Sequence, residues 1–216
     1  MNKIKAVIFD MDGLIVDTEK IESHALSAVI KDYGKTPVPN DTGLVHIVGK
    51  GDYKELMDKY SINGTHDIFR DKKRDIFSKL LEEKLTPYDG FFELIELLSK
   101  HNFKIALASN RYINHIFLVL KNLEVEKYFN IIVGPSEERK HKPHPDIYLH
   151  AAKELGLNPE DCVALEDSES GVISAHSAGM KVIAIPNKYT QKHDFSKADI
   201  ILKSLMEVNM DVLNSL

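Results

Sequence analysis

Six short apolar runs recur along the chain, and most of them are separated by stretches with helical periodicity. The runs are 5–9, 104–108, 130–133, 163–165, 181–185 and 199–202. Each is apolar almost throughout and is bounded by Asp, Asn, Gly or Pro. Runs of this kind are typical of parallel strands that are buried on both faces of a sheet.

The stretches between the later runs have the spacing and the ends of helices. Phe92, Ile95 and Leu98 recur at helical intervals before the second run. Pro145 stands where the first turn of a helix tolerates proline, and Gly156 stands where that helix should end. Residues 169–178 form a further predicted helix, closed by Gly179. Alternating strands and helices predict a doubly wound parallel α/β sheet, the Rossmann-like architecture.

Residues 18–86 differ from the rest because they contain amphipathic helical segments and no convincing strand. The clearest predicted helix covers 67–85, with one apolar face made of Phe69, Ile76, Phe77, Leu80 and Leu81. Its charged block 70–75 alternates in sign, which indicates a solvated helix face. We therefore predict an α/β core formed by residues 1–17 and 87–216, interrupted by an all-helical cap domain at 18–86 that acts as a lid.

Composition and charge exclude several classes of protein. The chain has 216 residues with 28 Lys and Arg against 33 Asp and Glu, a net charge of −5, so it lacks the basic surface of a nucleic-acid binder. A single cysteine, Cys162, cannot form an internal disulfide. No apolar run approaches the roughly 18 residues of a membrane span. We expect a cytoplasmic protein that binds neither nucleic acid nor membrane and is a monomer by default.

Polar residues follow the apolar runs at the positions where ligands bind in open α/β sheets, the carboxyl ends of the strands. Because these ends meet along one edge of a parallel sheet, the side chains should converge. The residues are Asp10, Asp12, Ser109, Asn110, Lys142, Glu166 and Asp167.

Clustered carboxylates repel one another and raise each other's pKa unless a cation lies among them. Carboxylate oxygens together with a phosphate oxygen suit Mg²⁺. Lys142 and the Ser109 hydroxyl would supply matching donors for an anionic substrate. A metal ion, a lysine and a nucleophilic carboxylate together indicate phosphoryl transfer through an aspartyl-phosphate.

The order and spacing of these residues resemble the four motifs of the haloacid dehalogenase-like (HAD) superfamily. The matching segments are Asp10-Met-Asp-Gly13, Ser109-Asn110, Lys142-Pro143 and Glu166-Asp-Ser168. The helical insertion after the first motif is similar to the cap of the β-phosphoglucomutase-like branch. The resemblance covers essentially the whole chain.

The resemblance implies a role for each matching residue. Asp10 would attack phosphorus and become the aspartyl-phosphate, and Asp12 would protonate the leaving group and then activate water. Phosphate would be bound by Gly13, Ser109, Asn110 and Lys142. Mg²⁺ would be held by Asp10, Asp12, Glu166 and Asp167. Asp12 would bind it through its backbone carbonyl oxygen.

Within the family, Asp12 argues against dehalogenases and phosphonate-cleaving relatives, which leaves phosphatase and phosphomutase. The mutases that the chain resembles carry a histidine at the position of Glu22. They also have a phosphate-binding arginine in the cap, where the matching stretch 48–52 of this chain has Lys50 and no arginine. Arginine and lysine are not equivalent in bidentate phosphate recognition. We therefore predict a phosphatase, with a sugar phosphomutase and a non-catalytic phosphometabolite sensor as alternatives.

The substrate should be a small phosphomonoester of the sugar phosphate kind, because only the cap can recognise the organic part of the molecule. The candidate specificity residues in the cap are Glu22, His46, Lys50 and Tyr53.

Overall fold

The computed structural model describes residues 4–38, 53–83 and 85–216. These divide into two units, one formed by the chain up to Val16 together with Thr86–Leu216, and the other by Asp17–Leu85. His46 and Lys50, two of the predicted specificity residues, lie outside the described residues. No helix among the described residues has the length and apolar character that a membrane crossing requires.

The first unit contains a parallel sheet of six strands. They are β1 (Ala6–Phe9), β2 (Lys104–Ala108), β3 (Ile131–Val133), β4 (Cys162–Glu166), β5 (Lys181–Ala184) and β6 (Ile200–Ile201). They stand in the order β3-β2-β1-β4-β5-β6, and every neighbouring pair is parallel. All six apolar runs are strands, so the predicted doubly wound sheet is confirmed.

The central strands β2, β1, β4 and β5 are buried on both faces, which explains why they are apolar without alternation. On one face, alanines of the strands pack against Tyr148 and Val172 of the flanking helices. On the other face, the ring of Phe9 meets Phe91 and Phe129 edge to face, with centroids 6.0 and 6.2 Å apart. Alanine on one side lets helices approach closely, while large side chains fill the other.

Helices cover this sheet in the positions that the sequence predicts. Among the described residues, the second unit has the helices α1 (Thr18–Asp32), α2 (Lys54–Lys59) and α3 (His66–Leu81). The helices of the first unit are α4 (Phe91–Lys100), α5 (Ile113–Asn122), α6 (Asp146–Leu155), α7 (Glu169–Ser177) and α8 (Met210–Asn214). Pro145 immediately precedes α6, and Gly156 ends it in the left-handed conformation with φ of 67°. Cys162 is buried at the start of β4, where burial raises the pKa of its thiol to about 11.

The second unit contains α1, α2 and α3 and, among its described residues, no strand. Its buried centre is apolar and includes Tyr53, one of the predicted specificity residues, which is 4% exposed and packs beside Phe69. Helix α3 ends at Leu81, four residues before its predicted end. Glu82 and Glu83 follow Leu81. Their negative charges are repelled by the negative end of the helix dipole, which disfavours continuation of the helix.

The charged block on α3 is only partly the solvated face that its alternating signs predict. Arg70 and Arg74 form ion pairs with Asp67 and Asp71, each three residues earlier, and all four side chains are substantially exposed. Lys73 points the other way. It is buried, and its Nζ lies 2.7 Å from Oε2 of Glu22 on α1.

Substitution of Lys73 tests how much this buried ion pair between α1 and α3 contributes to stability. We expect Lys73→Met to lower the free energy of unfolding by about 3–5 kcal/mol, because the cation facing a buried carboxylate is removed. Denaturant titration followed by circular dichroism measures the change. Lys79→Met, on an exposed position of the same helix, is the control and should change stability little. A double variant, Lys73→Met with Glu22→Leu, should recover most of the loss; equal instability of the single and double variants would contradict this account.

Candidate active site

The polar residues collect at the carboxyl ends of β1 and β4, the two central strands of the sheet. The chain order of the strands reverses between β1 and β4, and such a reversal opens a crevice where ligands bind. Asp10 directly follows β1, and Glu166 is the last residue of β4. The predicted convergence is therefore a consequence of the strand order.

Lys142 lies at the centre of a buried ionic cluster. Its Nζ is 2.6 Å from Oδ1 of Asp10, 2.6 Å from Oε1 of Glu166 and 2.8 Å from the carbonyl oxygen of Ala108. The hydroxyl of Tyr148 on α6 donates to the same Glu166 oxygen at 2.5 Å. Lysine carries three donors, and these three acceptors satisfy them, so the ammonium group is fixed in place.

Glu166 is held on its other side by the start of α7. Its Oε2 accepts from the Ser168 hydroxyl at 3.3 Å, and Ser168 in turn caps α7 by accepting from the Gly171 amide. A Cβ at position 171 would lie 1.9 Å from the Glu166 carboxyl carbon, so glycine is required there. Glu166 is thus completely buried and rigidly positioned.

Burial perturbs the ionisation of the whole cluster. It raises the pKa of Asp10 to about 8, with Lys142 opposing the shift and Glu166 and Asp12 adding to it. Burial likewise raises the pKa of Asp167, helped by the charges of Asp10 and Glu166. For Lys142, burial acts to lower the pKa, but Asp10 and Glu166 outweigh it and hold the pKa well above its usual value. The lysine therefore stays charged.

Asp12 is bound by the segment that follows β2. Nη2 and Nε of Arg111 lie 2.8 and 3.1 Å from its Oδ1, and the Ser109 hydroxyl donates to its Oδ2 at 3.2 Å. The backbone amide of Arg111 also donates to Ser109 Oγ. Sequence reasoning missed Arg111. The available signal was its place, directly after Ser109-Asn110 on the edge of the sheet where the other candidates converge.

Asp167 is bound by a residue that follows β5. Nδ2 of Asn187 donates to Asp167 Oδ2 at 2.7 Å and to the carbonyl oxygen of Gly13 at 2.9 Å. Asn187 was also missed, although it stands at the same edge of the sheet. Gly13 has φ of 82°, and its own amide donates to the carbonyl oxygen of Val16.

Two predicted site residues remain. Asn110 is exposed, and its Oδ1 accepts from the Lys142 backbone amide at 3.1 Å, which ties the second predicted motif to the third. In the helical unit, the carboxylate of Glu22 is bound by Lys73. The structure therefore groups the predicted core residues into linked sets around Lys142, Arg111 and Asn187.

The carboxylates of Asp10, Glu166 and Asp167 could hold a metal ion, because one oxygen from each lies within 4.8 Å of the others. If all three are ionised, Lys142 cancels one charge and the cluster carries 3 − 1 = 2 negative charges. A divalent cation would balance this charge, and carboxylate oxygens are the ligands that Mg²⁺ prefers. The donor set therefore fits Mg²⁺.

Comparison with known proteins relates the chain to one family of hydrolases and to phosphatases and phosphomutases. Residues 7–185 match the family model described as haloacid dehalogenase-like hydrolase. The chain is 34% identical over 190 residues to a phosphorylated carbohydrates phosphatase of Thermotoga maritima, covering 83% of this chain and 84% of that protein. It is 30% identical over 224 residues to a β-phosphoglucomutase of Bacillus subtilis, covering 98% and 94%.

The fold is also shared with a solved structure. CbbY from Rhodobacter sphaeroides, crystallised in complex with phosphate, superimposes with a TM-score of 0.82 at 24% identity, covering 99% of this chain and all of that one. At this identity the likeness establishes the fold alone. It agrees with the α/β fold described above.

Proposed function

The chain belongs to the haloacid dehalogenase-like hydrolase family, and from this premise we propose that it is a Mg²⁺-dependent phosphatase acting through an aspartyl-phosphate on Asp10. Its relatives make it an enzyme of the phosphatase or phosphomutase kind. The substrate we propose is a small phosphomonoester such as a sugar phosphate. The observation that carries the proposal is the contact of Asp10 with Lys142 inside a buried cluster of three carboxylates.

Asp10 is the proposed nucleophile because it is both buried and bound to a fixed cation. A carboxylate oxygen of Asp10 would form a bond to phosphorus as the bond to the leaving alkoxide breaks. Lys142 would offset the negative charge of Asp10 and the transferring group as they approach. Asp10, Asp167 and Glu166, with the Asp12 backbone carbonyl, would hold Mg²⁺, which when bound neutralises charge on the phosphoryl oxygens.

Asp12 is the proposed acid and base. The carboxylates of Asp10 and Asp12 have different partners, so they can serve different groups. Asp10 contacts Lys142, whereas Asp12 is bound by Arg111 and Ser109. Asp12 would donate a proton to the departing alkoxide and then accept one from the water that attacks the aspartyl-phosphate. Its contacts with Arg111 and Ser109 support this assignment, because they hold the carboxylate at the position of the predicted phosphate-binding hydroxyl.

Phosphatase is favoured over mutase by what the helical unit contains. The mutases that the sequence resembles have a histidine at the position of Glu22, and here that position carries a buried carboxylate bound by Lys73. Such a pair supports a structural role for Glu22 within α1 and α3. We propose that residues 18–86 act as the lid and select the substrate, with His46 and Lys50 as the candidates to test by substitution.

The test of the proposed function is release of inorganic phosphate from para-nitrophenyl phosphate and a panel of sugar phosphates and nucleotides. We expect release with Mg²⁺ and none with EDTA. The panel ranking would then identify the substrate class. Interconversion of sugar phosphate isomers without phosphate release would establish the mutase instead, and neither reaction with any compound would overturn both.

Binding of Mg²⁺ should displace a proton from Asp10. With its pKa raised to about 8, this group is mostly protonated at pH 7 in the metal-free protein, and the metal needs the ionised form. We expect the apparent affinity for Mg²⁺ to rise between pH 6 and 8 by about tenfold per pH unit for each proton displaced. Asp167, whose pKa is also raised, adds to that count. Calorimetric titration in buffers of different ionisation enthalpy counts the protons released.

The same shift fixes how stability depends on pH without metal. Unfolding lets Asp10 return to its ordinary pKa of 3.8, so the folded state retains a proton that the unfolded chain loses above about pH 4. The contribution of this group to stability is therefore complete below pH 4 and is lost as the pH rises towards 8. Asp10→Asn is the control for the titration with Mg²⁺. On binding Mg²⁺ this variant should release about one proton fewer than the unaltered protein. Equal proton release by the two proteins would contradict the assignment of the displaced proton to Asp10.

A further inference from the structure

We infer that Asn187 is a positioning residue for the metal site. Asn187 acts through its contacts with the Asp167 carboxylate and the Gly13 carbonyl oxygen. The inference rests on the proposed function, because that function supplies Mg²⁺ as the metal bound at this site. The residue lies in the loop after β5, outside the segments that the family motifs cover in this sequence. Three loops, those after β1, β4 and β5, meet at its side chain.

The orientation of the Asn187 amide is determined by its own hydrogen bonds. Its Oδ1 accepts from the backbone amide of Tyr189 at 2.8 Å, and only an oxygen can accept that bond. The NH₂ group must therefore face the opposite side, where it donates to Asp167 Oδ2 and to the Gly13 carbonyl oxygen. The assignment of oxygen and nitrogen is thus fixed by the backbone.

Asn187 is also rigidly attached. Its backbone amide donates to Oγ1 of Thr190 at 3.0 Å, and the Thr190 amide donates back to the Asn187 carbonyl oxygen at 3.1 Å. The side chain is half-buried, and Thr190 is buried. Because the turn is closed from both sides, Asn187 holds the Asp167 carboxylate without having to be ordered when a ligand arrives.

The backbone at Gly13 lies close to both side chains of this contact. A Cβ at position 13 would lie 2.4 Å from Asp167 Oδ2 and 2.6 Å from Asn187 Nδ2, so only glycine allows the three loops to come this close. The hydrogen bond from Asn187 uses one of about four lone-pair positions on the Asp167 carboxylate, so the carboxylate can still bind a cation. Groups that orient metal ligands in this way commonly contribute 10- to 100-fold in metal affinity.

Asn187→Ser and Asn187→Ala test the inference by Mg²⁺ affinity, measured by isothermal titration calorimetry on the full chain. Serine can still accept from the Tyr189 amide and keep the turn, but it is too short to span Asp167 and Gly13. We expect Mg²⁺ affinity to fall by about 10- to 100-fold in both variants. Turnover should recover when Mg²⁺ is raised, because the metal ligands themselves are intact.

Asn130→Ala is the matched control. The side-chain oxygen of Asn130 accepts a hydrogen bond from the backbone amide of Ile105. This contact lies at the amino ends of the strands, away from the site. We expect this variant to lose some stability and to bind Mg²⁺ normally. Unchanged Mg²⁺ affinity in both Asn187 variants would overturn the inference, as would an equal loss in Asn130→Ala. Failure of the unaltered protein to bind Mg²⁺ would instead overturn the proposed function.

Discussion

Replacing Asp10 by asparagine should abolish phosphate release while leaving the fold intact. An amide oxygen is a far weaker nucleophile than a carboxylate oxygen and cannot sustain the covalent step. The loss should be on the order of 10⁶, the scale on which covalent enzymes respond to removal of their nucleophile. Asparagine has nearly the same shape and can still accept a hydrogen bond from Lys142, which now contacts Asp10 at 2.6 Å.

The measurement is the initial rate of phosphate release with Mg²⁺, alongside circular dichroism to verify folding. Asp161→Asn is the matched control. Asp161 is similarly buried and ion-paired, with Lys5 at 2.9 Å, but it lies at the amino end of β4, at the opposite edge of the sheet from Asp10. That variant should keep its activity. Near-normal turnover by Asp10→Asn would eliminate the aspartyl-phosphate mechanism. Recovery of a phosphorylated Asp10 peptide after acid quench of the unaltered enzyme would support it directly.

Replacing Asp12 by alanine should reduce turnover of a sugar phosphate by about 10²- to 10⁴-fold, the usual contribution of a general acid or base. The pattern across leaving groups carries more information than the size of the loss. Para-nitrophenolate departs without a proton, so the first half of the reaction should survive with para-nitrophenyl phosphate. Hydrolysis of the aspartyl-phosphate still needs a base, so we expect a burst of one product per enzyme followed by slow turnover.

Asp12→Asn separates proton transfer from positioning in this experiment. Asparagine can still accept from Arg111 through its one oxygen, and its NH₂ group can donate to the Ser109 hydroxyl oxygen. It cannot donate or accept the catalytic proton. We therefore expect Asp12→Asn to behave like Asp12→Ala in stopped-flow measurements of the burst. Near-normal turnover by Asp12→Asn would mean that the carboxylate acts through its contacts with Arg111 and Ser109. The acid–base role would then be wrong.

The sheet could be predicted because burial on both faces leaves an unambiguous trace in the sequence. Runs such as 104–108 and 181–185 are apolar without alternation after their first residue, and they are followed directly by Ser109 and Pro186. The end of α3 was harder to predict, because Leu85, four positions after Leu81, continues the apolar spacing beyond the point where the helix stops. Boundaries depend on a few local interactions at the ends of a helix, whereas the existence of an element depends on many residues.

The core of the candidate site was accessible for a similar reason. Asp10, Lys142 and Glu166 come from distant parts of the chain, yet each stands at the carboxyl end of a strand or in a loop on that edge, and parallel strands place those ends together. What the pattern could not supply was the pairing. It did not distinguish a lysine that binds two buried carboxylates from a lysine on the surface, because Lys142 would stand beside Pro143 and Pro145 in either case.

The sequence by itself determined the fold class, the edge of the sheet where the chemistry lies and the residues that converge there, because these follow from periodicity and strand ends. Only the tertiary structure decided which side chains hold the others. Arg111 binds Asp12 across 99 positions, Lys73 binds Glu22 across 51, and Asn187 binds Asp167 across 20. A local pattern records whether a residue is buried, but its partner is chosen by the close approach of segments that the sequence keeps apart.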